Sequence, residues 1–585
     1  MPSNVTVFEK TIVIPTYSMV PRSKLPPIFD PEVVYPYNGF LLNAKEPQDK
    51  TYKALVLEND MLRVTVLPEL GGRILQIENV KNGTKYLHEN DVVLPTRISM
   101  RWAFISLGIE LNFPIAHSPT GISEIGYEII DCPNGGKGIA VGEKEIMWGL
   151  NWRAEIKLFP NSNAVCLSAK CWNPTKTARD VQWWSNAAQP VGEGTEFVFP
   201  YESVIEHSEE AKTGQWPIVD GIDRRWHKNY NNMCGLFWQE TKSDWFGIYH
   251  HDIDMGLLHL SDPHEMPGKK LWTFGQTGST ADWTLAMTRN GGISCEIQSG
   301  VPATQSGFIN LNPNEELSFI EFWVPVDSRG ELDDGKRLSF EKVVNMLGGK
   351  EALSAEKKEI ESSSMKFWKN LIEAFENKDK NWLLEQQSCL DDIWPPTGLE
   401  LENALKWASS VVGGLWNYST ALYLYANKKF SEAMSFFEIS PKSLKVEALM
   451  AMIDWKGFNN PEAAWNRLKN IIREIPDGAL LVAVNSILRE LNNIEDRKAI
   501  LNYWPDWDYR KREAEAEIAI DDGNPEQALH ILTYKPWERH HGCRYRRTEL
   551  WRKAMAMLGR NSTDIPTILG EDPFKVNEDH FGLND

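Results

Sequence analysis

Short segments with alternating apolar and polar residues fill the chain from about residue 50 to 325. The clearest are 52–58 and 62–67, and turn residues such as those of 160–163 separate one segment from the next. A period of two predicts β-strands with one buried face, and no helical period is sustained in this part of the chain. Many strands without intervening helices predict an antiparallel β-sandwich or barrel.

Beyond about residue 327 the pattern becomes helical. Residues 512–532 read as two amphipathic helices, with Gly523 suited to a helix end and Pro525 to a helix start. The Asn-Pro-Glu-x-Ala form of that turn recurs at 460–464, and 430–434 resembles it. This spacing predicts degenerate tetratricopeptide-like (TPR-like) hairpins, which pack against a catalytic domain or bind a partner.

A chain of 585 residues is too long for one core, so several domains are expected. We expect a multidomain β-then-α fold with four parts. These are an extended N-terminal arm over 1–40, a β-sandwich over 41–330, a linker and helix over 331–378, and a TPR-like helical domain over 379–585.

Bulk properties exclude several classes of partner. A net charge of −19 argues against nucleic acid. The uncharged stretch 407–427 is long enough to span a bilayer, but its polar residues and Gly413-Gly414 favour a buried helix pair. We therefore expect no membrane partner. Without a visible secretory signal, a cytoplasmic location with reduced cysteines is expected. A homo-oligomer formed through the helical domain stays open.

The chain holds 24 tryptophans, whose faces stack on sugar rings as well as fill cores. Four clusters combine such rings with groups for sugar chemistry. In the first, Gly71-Gly72 predicts a turn into the next strand, and Arg73 is either a sugar ligand or a structural salt-bridge partner. In the second, Arg101 and Trp102 precede a largely apolar segment.

That segment holds Glu110, Asn112 and His117. A carboxylate among apolar neighbours is desolvated, so we expect the pKa of Glu110 to rise toward that of a general acid. The alternative is an ion pair between Glu110 and Arg101.

The third cluster has adjacent tryptophans on one strand. Trp183 and Trp184 must point to opposite faces, so one can fill the core while the other, with Asn186, meets a sugar; the alternative is that both tryptophans only pack. In the fourth, Glu296 and Gln298 share a strand face as a proton-transfer and hydroxyl-binding pair, or as an ordinary solvated face.

Further candidates come from three other segments. Glu321 lies on a late strand, and His251, Lys270 and Trp272 are expected to contact sugar. Metal ligation by the histidines near His251 is disfavoured because no ligand spacing such as HExxH occurs. No P-loop, dinucleotide motif or GxSxG is present, so neither a metal nor another cofactor is expected.

With these residues in hand, the sequence resembles a family of uncharacterised bacterial and archaeal proteins, domain of unknown function 5107. Its members carry a galactose-mutarotase-like domain followed by TPR-like repeats. The matching stretches are 14–17, 34–37, 57–59, 66–74, 108–114 with His117, 183–187, 267–272 and 296–300.

The resemblance implies a β-supersandwich whose concave face binds a mono- or oligosaccharide. In mutarotases a Glu in a Glu-x-Gln setting is the base, and Glu296 matches it. Mutarotases pair it with a His acid on a central strand, where this chain has Asn186. We therefore expect a glycoside hydrolase with Glu110 and Glu296 as its acid/base pair, whether retaining or inverting. The alternatives are an aldose 1-epimerase or other sugar isomerase, and a non-catalytic carbohydrate-binding scaffold.

Overall fold

The fold is described from a computed structural model. It covers residues 4–30, 33–42, 46–96, 101, 104–207, 211–238, 242–276, 287–290, 292–333, 336–537 and 546–569. Trp102, one of the predicted sugar-binding residues, lies outside the described residues.

Two large antiparallel sheets dominate the described part of residues 4–326. The larger has eleven strands, in the order β1 (Thr6–Thr16), β4 (Gln48–Glu58), β5 (Leu62–Leu67), β6 (Arg73–Asn79), β7 (Ile109–Asn112), β13 (Trp183–Pro190), β23 (Ser294–Val301), β22 (Gly268–Thr273), β19 (Cys234–Trp238), β15 (Ser203–Glu206) and β16 (Thr213–Gln215). The second has eight, in the order β14 (Thr195–Val198), β20 (Trp245–His250), β21 (Met255–Ser261), β25 (Glu316–Val326), β11 (Val165–Trp172), β10 (Asn151–Leu158), β9 (Lys137–Lys144) and β8 (Gly126–Asp131).

Short two-stranded ribbons flank these sheets. They pair β2 (Met19–Pro21) with β3 (Phe40–Leu42), β12 (Arg179–Val181) with β24 (Ile309–Leu311), and β17 (Ile218–Val219) with β18 (Ile222–Asp223).

The main core lies between the two large sheets. Trp183 is fully buried there, 6.0 Å from Trp152 and 5.1 Å from Phe319 between ring centroids. Trp184, the next residue, points to the opposite face of its sheet and lies 6.0 Å from Phe237. The predicted placement of the two tryptophans on opposite faces is therefore confirmed, because successive side chains of a strand alternate between faces.

The N-terminal segment contributes to both the larger sheet and the helical domain. Strand β1 pairs along its whole length with β4 and forms one edge of the eleven-stranded sheet. Leu25 and Phe29 further on are buried in the core of the helical domain. The described residues of 1–40, expected as an extended arm, thus supply a sheet strand and then a segment packed against the helices. We call this segment, 22–30 and 33–38, the strap.

After β25 the described chain is helical. Its α-helices are α1 (Phe340–Leu347), α2 (Lys350–Leu353), α3 (Ser363–Asn377), α4 (Lys380–Gln386), α5 (Glu402–Val411), α6 (Leu415–Ala426), α7 (Phe430–Glu438), α8 (Leu444–Met452), α9 (Pro461–Leu468), α10 (Gly478–Glu490), α11 (Ile494–Ile500), α12 (Tyr509–Asp521), α13 (Pro525–Thr533) and α14 (Arg547–Met557).

The hairpin predictions are confirmed at their turns. Helices α9 and α13 begin at Pro461 and Pro525, the positions that the repeated motif assigned to helix starts. Asn460 caps α9 by accepting a hydrogen bond from the Ala463 amide at 3.0 Å. Gly523 follows α12 at φ +76°, a conformation that favours glycine.

The uncharged stretch 407–427 is a broken helix pair, as predicted. Helix α5 ends at Val411 and α6 begins at Leu415, with Gly413 and Gly414 between them at φ +71° and +60°. In the parts of the chain that the structure describes, we find no helix with the length and apolar character needed to cross a membrane.

Candidate functional site

Four neighbouring strands of the larger sheet bring the predicted residues together on one face. The registers of β7, β13, β23 and β22 align Glu110, Asn186, Gln298 and Lys270 in one row across the sheet. An adjacent row holds Ala188, Glu296 and Trp272, and another holds Asn112, Trp184, Gly300 and Gly268. Strands far apart in the sequence thus form one polar cluster, which we call the glutamate face.

Glu110 is the most heavily hydrogen-bonded member of the glutamate face. Its Oε2 accepts from Nδ2 of Asn112 at 3.0 Å and from Nδ2 of Asn186 at 3.2 Å. Nδ1 of His117 lies 2.7 Å from the same oxygen. The Glu110 side chain is 6% exposed, so these contacts replace the hydration that burial removes.

His117 comes from the loop after β7, not from a strand. Asn112 Oδ1 accepts from the Ser118 amide at 2.7 Å, which fixes the start of that loop. The imidazole packs edge-on against Phe104, with ring centroids 4.7 Å apart. Its side chain is 22% exposed, so His117 is the part of this pair that solvent or a ligand can reach.

The two predicted arginines hold the His117 loop by its backbone. Arg73 is fully buried and donates to the carbonyls of Leu70, Ile105, Leu107 and Gly121 at 2.6–3.2 Å. Arg101 donates to the carbonyls of Asn38 and Pro119 and to Ser123 Oγ, and does not form the alternative ion pair with Glu110.

The Gly71-Gly72 turn places Arg73 below the loop. Both glycines have positive φ, and a Cβ on Gly71 would lie 2.7 Å from Cα of Gly121. The turn prediction is confirmed, and its reason is this close contact with the loop that carries His117.

Glu296 belongs to a second chain of contacts. Gln298 Nε2 donates to Glu296 Oε2 at 2.6 Å, and Gln305 Nε2 donates to Gln298 Oε1 at 2.9 Å. Lys270 Nζ donates in turn to Gln305 Oε1 and lies 4.8 Å from the centroid of Trp272.

The two carboxyl groups are pushed toward opposite protonation states. Burial raises the pKa of Glu110, but His117, Arg73 and the hydrogen bonds outweigh it and hold the pKa below its usual value. The expected rise was wrong, because these partners favour the charged form. Burial and the charge of Glu110 raise the pKa of Glu296, with His117 and Lys270 opposing.

The cations respond to the same charges. Burial lowers the pKa of His117, but Glu110 and its hydrogen bond outweigh burial and raise it. Burial lowers the pKa of Lys270, with Glu296 opposing. The His117 imidazole is therefore biased toward its protonated form and the Glu110 carboxyl toward its ionised form, while the pKa of the neighbouring Glu296 carboxyl is shifted upward, the direction that suits a general base.

Trp184 is a packed part of this face. A Cβ on Gly300 would lie 2.3 Å from its ring, and one on Gly268 would lie 2.6 Å from it, so the indole packs directly against two glycines. The ring is fully buried. Trp272, 6% exposed, packs over Gly235 in the same way.

Two predicted residues lie elsewhere. His251 follows β20 in the smaller sheet, where it contacts Glu196 at 2.9 Å. Glu321 on β25 faces the space between the sheets, fully buried, with Ser185 at 2.8 Å and His259 at 2.7 Å. Neither belongs to the glutamate face. Within the described residues, no group of three or more His, Cys, Asp or Glu side chains is arranged to hold a metal.

Three side chains of the site were not predicted. Gln305 links Gln298 to Lys270, Phe104 supports His117, and Phe237 packs beside Trp184. Gln305 lies only seven residues after Gln298, and this short separation was the one sequence signal that could have placed it in the site. The two phenylalanines carry no polar group, so no sequence signal marked them as site residues.

Fold and site together define a two-part protein. An antiparallel β-sandwich carries a buried cluster of acidic and basic side chains on one sheet face, and TPR-like hairpins follow it in the chain. The chain belongs to the DUF5107 family, described as a domain of unknown function, whose model matches residues 29–326. A second model, of a C-terminal domain, matches residues 368–554.

The same architecture occurs in a solved structure of a TPR-domain containing protein from Parabacteroides distasonis. It is 26% identical, has a TM-score of 0.80, and the alignment covers 98% of this chain and 99% of that one. The predicted fold class, a β-sandwich followed by a helical domain, is confirmed.

About half of this chain is also similar to two smaller proteins of known structure. A putative mutarotase from Salmonella typhimurium is 11% identical with a TM-score of 0.35, over 47% of this chain and 91% of that one. A putative aldose 1-epimerase from Escherichia coli K12 is 10% identical with a TM-score of 0.33, over 46% and 96%.

Proposed function

We propose that the protein is a carbohydrate-modifying enzyme that transfers protons at the anomeric centre of an aldose, as an aldose 1-epimerase does. The observation that carries this is the 2.7 Å contact between Glu110 Oε2 and His117 Nδ1. A carboxylate bonded to one imidazole nitrogen orients the ring and favours its protonated form, which leaves Nε2 to act as an acid. In mutarotases the acid is a histidine on a central strand, where this chain has Asn186. In this proposal His117, a loop residue, takes that role.

In the proposed reaction Glu296 acts as base and His117 as acid. Glu296 removes the proton from the anomeric hydroxyl, and His117 Nε2–H protonates the ring oxygen. The electron pair left on the exocyclic oxygen forms the aldehyde C=O as the bond between C1 and the ring oxygen breaks. Rotation of the aldehyde and reversal of both proton transfers close the ring with the other configuration.

The amide side chains on and beside the glutamate face suit the sugar hydroxyls. Asn186, Gln298 and Gln305 each offer both donors and acceptors. Among the described residues none donates to Asn186 Oδ1, although that atom is buried. A hydroxyl of a bound sugar is a partner of the right kind for it.

Glycoside hydrolysis through Glu110 and Glu296 is the second candidate. The opposite pKa shifts of the two carboxyl groups favour it, since such a pair separates an acid from a base. Against it, one oxygen of Glu110 is held by three side chains. In that role Glu296 would be the acid and Glu110 the base or nucleophile, the reverse of the order expected from sequence.

The deciding experiment is polarimetry on freshly dissolved α-D-galactose, α-D-glucose and other aldoses, with product analysis on aryl glycosides and oligosaccharides in parallel. We expect accelerated mutarotation without bond cleavage. His117→Gln and Glu296→Gln should each reduce the rate by about 10²- to 10⁴-fold, because each removes a proton-transfer group.

His251→Gln is the matched control, since that histidine lies away from the glutamate face, and it should keep the full rate. Cleavage that survives in His117→Gln but is lost in Glu110→Gln and Glu296→Gln would replace this proposal with hydrolysis. Calorimetric sugar binding without turnover of any substrate would leave a carbohydrate-binding scaffold.

A further inference from the structure

A cavity of about 860 Å³ lies where the N-terminal ribbon of β2 and β3 meets the helical hairpin of α12 and α13. Strands β2 and β3 form one wall, and residues from α12, α13 and the segments beside them form the other. It shares no lining residue with the glutamate face. Its volume is in the range of about 300–1,000 Å³ that small-molecule sites occupy.

Two aromatic side chains at this cavity are unusually open. Trp507 is 54% exposed and Tyr534 is 53% exposed, although both line the cavity. A third ring, Trp537, is buried, and the guanidinium of Arg512 lies 4.0 Å from its centroid and 4.3 Å from that of Tyr534. The exposed Tyr534 ring thus lies against the Arg512 guanidinium, which itself packs on the buried Trp537.

Three polar groups of the lining form no hydrogen bond or ion pair with any described residue. They are the Glu515 carboxylate, the Trp507 indole N–H and the Tyr534 hydroxyl. Glu515 is half-buried, and burial raises its pKa, with Lys511 and Arg512 opposing. Lys535 Nζ lies over the Tyr534 ring at 5.3 Å.

The other cations are already engaged. Arg512 donates to the carbonyls of Ile531, Leu532 and Lys535 at 2.7–3.0 Å, and Lys511 pairs with Asp506 at 2.6 Å. A phosphate or sulfate would meet the Glu515 carboxylate with little free positive charge to offset it. A neutral ligand with many hydroxyl groups can donate to Glu515, accept from Trp507 and Tyr534, and lay its apolar ring faces on the aromatics.

We propose that this cavity is a second carbohydrate-binding site, which takes a short neutral oligosaccharide. It needs no catalysis at the glutamate face. In a protein that acts on sugars, it would hold one part of a longer glycan while the sandwich handles another.

The test is titration calorimetry on the full chain with maltotriose, cellotriose and mannotriose, with trigalacturonate and a hexapeptide library as separate arms. We expect at least one neutral trisaccharide to bind with a Kd of about 1 mM or tighter. Trp507→Ala should weaken it at least about tenfold, through loss of a stacking face, and Glu515→Gln should weaken it as well.

Phe458→Ala is the control, because Phe458 is another exposed aromatic of the helical domain, 45% exposed and outside the cavity. It should leave binding unchanged, as should Glu296→Gln, which separates this site from the proposed active site. No binding by any neutral trisaccharide, binding that Trp507→Ala and Glu515→Gln leave intact, or preferred binding of peptide or trigalacturonate would each overturn the proposal.

Discussion

Glu110 illustrates how neighbours, not burial alone, decide the charge of a carboxyl group. Its apolar sequence neighbours Ile109 and Leu111 point into the core on the other face of the strand. Its own face supplies His117, Asn112 and Asn186. A cation and two amide donors favour the ionised form of a carboxyl group even when it is buried. The Glu110 carboxylate in turn raises the pKa of the His117 imidazole.

A pH profile of Glu110→Gln tests whether Glu110 raises the pKa of His117. We expect the basic limb of the rate profile to move to lower pH, because the pKa of His117 is no longer raised by the carboxylate. A Gln keeps hydrogen-bonding capacity, so the His117 loop should keep its place. Mutarotation rates measured from pH 5 to 10 provide the comparison. A uniform loss of rate with an unmoved limb would contradict the role given to Glu110.

Glu321 is a buried acid of another kind. It lies between the sheets with Ser185 and His259, and burial raises its pKa to about 8, with Ser185 and Lys269 opposing. A carboxyl group whose pKa is raised on folding favours folding below its unfolded value near 4.5. That advantage is lost as the pH rises toward the folded value near 8.

Glu321→Gln should therefore gain stability relative to the natural protein as the pH rises from 5 to 8, by about 1.4 kcal/mol per pH unit. Thermal melts of the two proteins across this range provide the measurement. Glu315→Gln, an exposed carboxylate near the same strand, is the control and should show no such divergence. Parallel pH dependence of Glu321→Gln and the natural protein would mean that Glu321 stays ionised.

At the scale of elements, β13 and its neighbours show why a sheet can build a polar site on one face and a core on the other. Trp183, Ser185 and Ala187 face the second sheet, while Trp184, Asn186 and Ala188 face the site. Glycines on β23 and β22 let the Trp184 ring lie against the backbone, and Ala188 leaves room beside Glu296.

Gly300→Ala tests this packing. Its Cβ would lie 2.3 Å from the Trp184 ring and 2.4 Å from the Trp183 carbonyl oxygen, and a backbone atom cannot yield as a flexible side chain can. We expect a lower melting temperature, from a loss of about 1–3 kcal/mol, and weaker turnover as the ring is displaced. Gly292→Ala, where the nearest atom is 3.7 Å away, is the control and should be close to neutral.

At the scale of the whole molecule, the strap after β1 joins the two parts of the protein. Asp30, 4% exposed, accepts from Arg22 Nε at 2.9 Å and from Arg510 Nη1 at 3.1 Å, so one buried carboxylate links the strap to α12. Ser23 Oγ also donates to Asp477 at 2.7 Å, beside α10.

Asp30→Asn should loosen the strap. Removing one charge from a buried ionic group costs about 3–5 kcal/mol, because the partners stay buried and incompletely paired. We expect a lower melting temperature and faster proteolytic cleavage within residues 22–38.

The control is Glu400→Gln, which removes an exposed contact with Lys176 between the sandwich and the helical part. It should change neither measurement. Equal behaviour of the two variants would show that the strap does not depend on the buried charge.

The sequence by itself determined the two-part architecture, the turn at Gly71-Gly72, the helix starts at Pro461 and Pro525, and the opposite faces of Trp183 and Trp184. Each of these depends on local period or on the backbone limits of Gly and Pro, which act over a few residues. It also selected most residues of the glutamate face, since Glu110, Asn112, Asn186, Glu296 and Gln298 alternate correctly on their own strands.

Only the tertiary structure decided what those residues contact. The registers between β7, β13, β23 and β22 pair residues up to 118 positions apart, as Trp183 with Val301, and no local pattern encodes them. In the folded chain Glu110 contacts His117, so its pKa is lowered where a rise was expected. Arg73 binds backbone carbonyls, and Glu321 and His251 lie away from the glutamate face. The reason is physical: a side chain's charge state and partners depend on everything packed around it, and most of that packing comes from distant parts of the chain.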